Sequence, residues 1–248
     1  MIKSFLSENC KAIILGSILG DGSLKIYPQY QNARLSFRHS IRQKEYFFWK
    51  VGKLKEISGT SNHWFQKADG YGGEKLRYQS RAIESLTELY RLTHDGGRIK
   101  IRRRWLNQLT PLSLAIWWLD DGSLIVNSRR GVLCTDPFSY DEQELLQKYL
   151  SVVWRVQVHI AKTARIRDEK RTEYYRLWFR SSEELQKFLR LILPYVKVAS
   201  MLPKVLLLYK NPELQQRWIS EVCKLTGFSQ PIVERAVREK KAKWKTFR

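Results

Sequence analysis

The sequence predicts an α+β fold of two pseudo-symmetric αββαββα repeats with antiparallel sheets, followed by a small helical C-terminal extension. Two observations carry this prediction. The segment Ile14–Leu24 lines up with Leu114–Leu124 at an offset of 100 residues, each an apolar run that ends in Asp-Gly and passes into Ser-Leu and a strand-like stretch. Tyr78–Leu86 and Phe179–Leu185 echo one another at nearly the same offset, each a strand end turning into an amphipathic helix. Self-similarity at domain-sized spacing marks a duplicated structural unit, and a chain of 248 residues is long enough to bury a core in each half.

In the first repeat, apolar spacing predicts a helix over 8–20, strands over 23–27 and 33–39, a helix over 42–56, strands over 61–67 and 74–79, and a helix over 82–93. Residues 94–109, with Asp95-Gly96-Gly97 and a basic run, read as the connection. The second repeat opens at Thr110-Pro111, an N-cap followed by proline in the first turn. Strands over 123–127 and 131–135 come next, then a helix announced by the capping-box spacing Ser139-x-x-Glu142, then strands over 155–165 and 171–180. Ser181-x-x-Glu184 repeats the capping-box spacing before the last helix of the repeat. The expected divisions are a first repeat over 1–97, a linker over 98–109, a second repeat over 110–205 and a basic helical extension over 206–248. Two helices in that extension, 212–225 and 229–240, meet at Gly227 with Ser229 as N-cap. They have the form of a small helix-turn-helix, which serves equally as a DNA-contacting tail or as a packing appendage.

Lys and Arg number 45 against 24 Asp and Glu, a formal charge of +21. A surplus that large repels itself unless a polyanion is the usual partner, and nucleic acid is the first candidate. There is no apolar run of 18 residues, no secretory leader and no lipidation signal, so the expectation is a soluble protein of a bacterial cytoplasm or organelle matrix, not secreted and without a membrane partner. Cys10, Cys134 and Cys223 are odd in number and far apart, which favours reduced, packed thiols over disulfides or structural zinc. His39, His63, His94 and His159 are scattered without ligand spacing, and no chemistry is assigned to them.

Both repeat helices end in aspartate, although a helix C-terminus carries partial negative charge and ordinarily favours Lys or Arg. One isolated Asp-Gly is explained by a turn. The same unfavourable placement at Asp21 and at the pair Asp120 and Asp121 instead suggests compensation by a divalent cation, since Mg²⁺ takes carboxylate, phosphate and water oxygens. Gly16-x-x-x-Gly20 would let a second backbone approach the first helix, and packing of the two motif helices would bring Asp21 and Asp121 to a pseudo-twofold axis, one for each strand of a duplex.

Residues 14–22 and 114–122 resemble the two copies of a LAGLIDADG motif, and the chain is similar over roughly 8–205 to the monomeric, two-motif LAGLIDADG homing endonucleases. Leu109–Gly122 resembles one branch of that family, although Ile116 stands where glycine is usual. The resemblance implies a site-specific, Mg²⁺-dependent double-strand DNA endonuclease, intron-encoded, leaving short 3′ overhangs, whose metal sites Mn²⁺ or Ca²⁺ can also occupy. It implies metal ligation at Asp21 and Asp121, with Gly20 and Asp120 included in the metal site. It also implies one catalytic lysine per half: Lys204 in Met201-Leu-Pro-Lys204, with Pro203 where an aromatic residue is common, and Lys100 in the first half, with Arg98 as the competing choice. The alternative on the same fold is an RNA-binding maturase acting on a host intron.

Alternation along the strands separates an apolar face from a basic one. Arg34, Ser36 and Arg38 align on one strand, Lys75, Arg77 and Gln79 on another, and Arg176, Trp178 and Arg180 on a third, with Lys25 and Arg165 on flanking strands. Such sheets form a saddle along duplex DNA, with Arg positioned for guanine, Gln for adenine, and further cations for phosphate.

Overall fold

The computed structural model describes residues 6–68, 73–125, 129–167 and 170–244, and the side chains of 165–167, 170 and 171 lie outside what is described. The chain divides into two compact units, Met1–Asp120 and Asp121–Arg248.

The first unit begins with α1 (Glu8–Leu19), capped by Ser7, whose hydroxyl accepts from Cys10 N. α1 is buried from Ala12 through Leu19, as expected of a helix that is apolar on all sides. β1 (Ser23–Lys25) and β2 (Arg34–Ser40) follow, then α2 (Lys44–Lys53), β3 (His63–Gln66), β4 (Lys75–Gln79) and α3 (Glu84–Thr93). The helix expected over 42–56 is three pieces, because 3₁₀ turns at Ile41–Gln43 and Lys55–Ile57 flank α2. The strands pair antiparallel in the order β1-β2-β4-β3, with Ser36 opposite both Ser23 and Gln79. The segment expected as a connection contains a hairpin, β5 (His94–Asp95) and β6 (Arg98–Ile99), turned by Gly96 and Gly97 at φ 53° and 79°, values that only glycine adopts cheaply. The short α4 (Arg103–Leu106) buries Trp105 and Leu106.

α5 (Pro111–Asp121) carries the second motif. Thr110 Oγ1 accepts from Ser113 N at 3.4 Å, and Ser113 Oγ accepts from Thr110 N at 3.2 Å. α5 lies directly on α1: a Cβ at Gly16 would stand 2.4 Å from Ser113 O and 2.9 Å from Ile116 Cβ, and one at Gly20 would stand 2.6 Å from Asp120 Cβ. Ile116 is therefore accommodated by the glycine opposite it, and the glycine pair on α1 sets the helix contact.

The second unit repeats the plan with β7 (Gly122–Ile125), β8 (Arg130–Leu133), α6 (Tyr140–Trp154), β9 (His159–Arg167), β10 (Lys170–Phe179) and α7 (Ser182–Ile192), its strands ordered β7-β8-β10-β9. The capping box at Ser139 and Glu142 is complete. The one expected at Ser181 is half formed: Ser181 Oγ accepts from Glu183 N and Glu184 N, but the Glu184 carboxylate turns away to Gln157 N at 2.7 Å and Lys187 Nζ at 2.6 Å. β9 starts at His159, later than expected, because Arg155 adopts a left-handed conformation (φ 57°) that closes α6 first.

After 3₁₀ segments at Leu193–Tyr195 and Ala199–Lys204, α8 (Pro212–Thr226) and α9 (Gln230–Ala242) form the extension. Gly227 turns between them at φ 83°, and Ser229 occupies the N-cap position without making the side-chain cap bond expected of it. Trp218, Ile219, Val222, Val233 and Val237 are buried. Side chains of these helices satisfy carbonyls of the preceding segment: Lys240 Nζ donates to Pro203 O and Leu206 O, Trp218 Nε1 to Val205 O, Gln215 Nε2 to Leu207 O and Lys241 Nζ to Tyr209 O. All three cysteines are free, and no helix among the described residues is long and apolar enough to cross a membrane.

Candidate functional site

In the first unit, α1 stops at Gly20, whose N–H and that of Gly22 both reach back to Ser17 O, at 3.0 and 2.6 Å. A Cβ at Gly22 would collide with Ser17 O at 2.7 Å, so the tight exit from the helix needs glycine there. This exit places Asp21 at the head of β1 with its side chain 40% exposed. The carboxylate lines an open depression on the polar face of the sheet, together with Lys25, Ser36, Arg38, Arg77 and Gln79, five residues expected on a DNA-facing surface. Burial along β2 and β4 alternates as the sequence reading requires, Leu35, Phe37, Leu76 and Tyr78 facing the core. Trp64 joins the wet face, 44% exposed, with the Arg77 guanidinium 5.8 Å from its ring centre. Arg34 lies outside that depression; it stacks on Tyr30 at 4.0 Å and reaches Gln79 Oε1 at 3.3 Å. Lys75 is half-buried at the start of β4.

Beneath Asp21 lies a polar cluster of which the sequence motifs announced only Asp120. Asp120, at the end of α5, has a fully buried side chain, as does Lys50 on α2. Lys50 Nζ donates to Asp120 Oδ2 at 2.7 Å and the Tyr46 hydroxyl donates to Asp120 Oδ1 at 2.8 Å, with Asp21 N 3.4 Å from Oδ2. Burial, reinforced by the Asp120 charge and by the hydrogen bond to it, holds the Tyr46 phenol well above its ordinary pKa, so it remains a donor. Lys50 also lies over the Phe37 ring at 4.6 Å. His39, on the core side of β2, has its side chain 1% exposed and stands between two carboxylates: Nδ1 is 3.4 Å from Asp21 Oδ2 and Nε2 is 3.9 Å from Asp120 Oδ1. Asp21, His39 and Asp120 form a three-residue acid–histidine group, and their candidate ligand atoms all lie within 4.8 Å of one another. The signal available in the sequence was weak: His39 continues the buried alternation of Leu35 and Phe37, and Tyr46 and Lys50 share a helix face four residues apart.

In the second unit, Asp121 ends α5 half-buried, and its carbonyl accepts from Cys134 N at 3.2 Å. Burial pushes the Cys134 thiol up. The Arg176 and Lys204 cations oppose the rise and the Asp121 and Asp136 carboxylates add to it. Arg176 is held in a two-pronged pair by Asp136, Nε to Oδ1 at 2.6 Å and Nη2 to Oδ2 at 2.7 Å. Trp178 and Arg180 line a separate depression with Ile125 and Arg130. The side chain of Arg165 lies outside the described residues. Arg98 and Lys100 are both exposed, on and just beyond β6, and Lys100 N donates to Thr93 O at 2.8 Å.

Residues 11–188 match the model of the LAGLIDADG DNA endonuclease family. Among curated relatives, the protein RecA of Mycobacterium gastri is 32% identical over 171 residues, 63% of this chain and 39% of that protein, so this chain spans about four-tenths of its length. The DNA endonuclease I-ChuI of Chlamydomonas applanata is 23% identical over 178 residues, 63% of this chain and 78% of the relative. Among solved structures, the homing endonuclease I-WcaI bound to its DNA recognition sequence shares the fold, with a TM-score of 0.69 at 20% identity, covering 83% of this chain and 89% of that one. The chain belongs to the LAGLIDADG DNA endonuclease family.

Proposed function

We propose that this chain is a site-specific homing endonuclease that hydrolyses both strands of a double-stranded DNA target, acting as a monomer and leaving short 3′ overhangs. The observation that carries the reading is the position of Asp21. An accessible carboxylate stands at the edge of a sheet face bearing Lys25, Arg38 and Arg77, where a phosphodiester drawn in by the cations would meet it.

A divalent cation fits the donor set, because exposed aspartate oxygens are the hard ligands that Mg²⁺ prefers. Asp21 in the first unit and Asp121 in the second are each a residue that would hold such a cation, with Gly20 contributing backbone beside Asp21; Mn²⁺ or Ca²⁺ suits the same oxygens. Asp120 is left out of this ligand set, since Tyr46 and Lys50 already engage both of its oxygens. A bound cation supplies an acidified water and charge stabilisation at the phosphate. The chain's own groups do the rest. Arg34, Arg38, Lys75 and Arg77 bind the backbone or guanine edges, Gln79 and Ser36 offer base-edge hydrogen bonds, and Arg176, Trp178 and Arg180 serve the same purpose on the sheet of the second unit. Lys204 and Lys100 each place an ammonium to steady the leaving oxygen. The repeats over 1–97 and 110–205 would each supply one sheet to the DNA, with 98–109 as the linker and 206–248 as an appended helical segment.

Digestion of a supercoiled library carrying candidate insertion junctions, with Mg²⁺ present and the cut ends sequenced, tests the proposal. One recurrent site with short 3′ overhangs is expected. Absence of cutting on every junction, combined with stimulated splicing of a host intron RNA, would replace it by the maturase reading.

A further inference from the structure

We infer that His39 is a positioning residue for Asp21, fixing its carboxylate from the buried side so that the exposed side is presented to a divalent cation. The inference rests on the reading of Asp21 as a metal-binding carboxylate and adds a role to a residue outside that reading.

Three features carry it. His39 is fully enclosed, packed against Phe37, Tyr46 and Phe47 at ring separations of 5.5, 5.2 and 6.2 Å, so its ring has little freedom. Neither of its nitrogens completes a hydrogen bond, a rare condition for a buried polar side chain and one that calls for a specific explanation. Its Nδ1 lies 3.4 Å from Asp21 Oδ2. When Nδ1 carries the ring proton, a turn of the Asp21 side chain, which is 40% exposed, would complete the bond. Tyr46 and Lys50 fix Asp120, and Asp120 lies 3.9 Å from the other ring nitrogen, so the imidazole is backed by an anchored anion.

The same contacts argue against reading the cluster as a cation site in its own right. Both Asp120 oxygens are engaged, and a cation there would face the buried Lys50 ammonium at close range. The cluster is a support for Asp21. Outer partners of this kind orient a ligand, and their loss typically costs about 10–100-fold in metal affinity.

The test uses the full chain carrying Asp121→Asn, so that binding in the first unit is read alone. Mn²⁺ binding is followed by electron paramagnetic resonance. His39→Leu keeps the packing and removes the ring nitrogens; it is expected to weaken Mn²⁺ binding about 10-fold or more, while His39→Gln, which keeps an N–H donor, restores most of the loss. Unchanged Mn²⁺ binding in His39→Leu would overturn the inference, as would equal losses in Leu and Gln, because packing would then be responsible. Asp21→Asn separates the two readings. Retained Mn²⁺ binding in that variant refutes the metal role of Asp21 itself, whereas its loss alongside an unaffected His39→Leu refutes only the role of His39. Should His39→Leu not fold, the ring N–H resonance of the unaltered His39 decides: it is expected to move on Mg²⁺ titration, and an unmoved resonance overturns the inference.

Discussion

The two units build the same sheet but fill the space behind its polar face differently. Their registers match: Ser36 lies opposite Ser23 and Gln79 in the first, and Val132 lies opposite Ser123 and Trp178 in the second. Stepping along from these pairs equates Arg77 with Arg176 and His39 with Thr135. Behind the first sheet, His39, Tyr46, Lys50 and Asp120 make a buried charged cluster. At the matching place in the second, Thr135 donates to Gln143 Oε1 at 2.7 Å and Gln143 Nε2 donates to Thr135 O and Tyr175 O, a closed set of neutral groups. The difference follows from the motifs. The residue before the last motif aspartate is Gly20 in one and Asp120 in the other, and an acid buried where α1 and α5 meet obliges its unit to provide a cation and a donor. Duplicated backbone plans tolerate this divergence because backbone pairing and polar chemistry are specified by different residues.

The largest effect that would sharpen this contrast is on stability. Lys50→Met leaves Asp120 buried without its cation and is expected to cost about 3–5 kcal/mol. Gln143→Leu removes neutral hydrogen bonds and is expected to cost about 1–3 kcal/mol. Denaturant midpoints measure both, and equal losses would break the distinction between charged and neutral clusters.

A second contrast concerns the extension, which only the second unit carries. Burial lowers the Lys240 pKa from its ordinary 10.5 to about 7, so the unfolded chain binds a proton that the folded chain has released. Stability from this group therefore rises with pH between about 7 and 10.5. Over that window the unaltered chain should gain stability relative to Lys240→Met, and parallel pH profiles for the two would contradict the burial of this ammonium.

The smallest effect compares the matched arginines. Arg176 is committed to Asp136, so Arg176→Ala should destabilise the fold by about 1–3 kcal/mol. Arg77→Ala should leave stability within about 0.5 kcal/mol and lower the salt slope of DNA binding by about 1. Thermal melts and binding titrations across salt concentrations separate the two outcomes.

Much of this architecture was legible because it depends on local patterns. The doubled Asp-Gly run located both motif helices, and strand alternation assigned the wet face correctly at Arg34, Ser36 and Arg38. Gly16 and Gly20 announced the close helix contact, which the Ser113 and Asp120 approaches realise. The cluster behind Asp21 was not legible. His39, Tyr46, Lys50 and Asp120 come from three separate elements, and His39 and Lys50 each look ordinary alone, one a strand residue on an apolar face and the other a helix lysine. The Ser181 capping box failed for a related reason: Glu184 found a better-placed partner in Gln157 N, which is 27 residues distant in sequence.

The account turns on the last aspartate of each motif, Asp21 and Asp121, as the groups at which strand cleavage depends on metal. The most direct measurement is Mg²⁺-dependent cleavage of a duplex target labelled separately on each strand, by the unaltered chain and by Asp21→Asn and Asp121→Asn. Each substitution is expected to abolish double-strand cutting while DNA binding persists. Cutting of both strands at the unaltered rate by both variants would contradict the account.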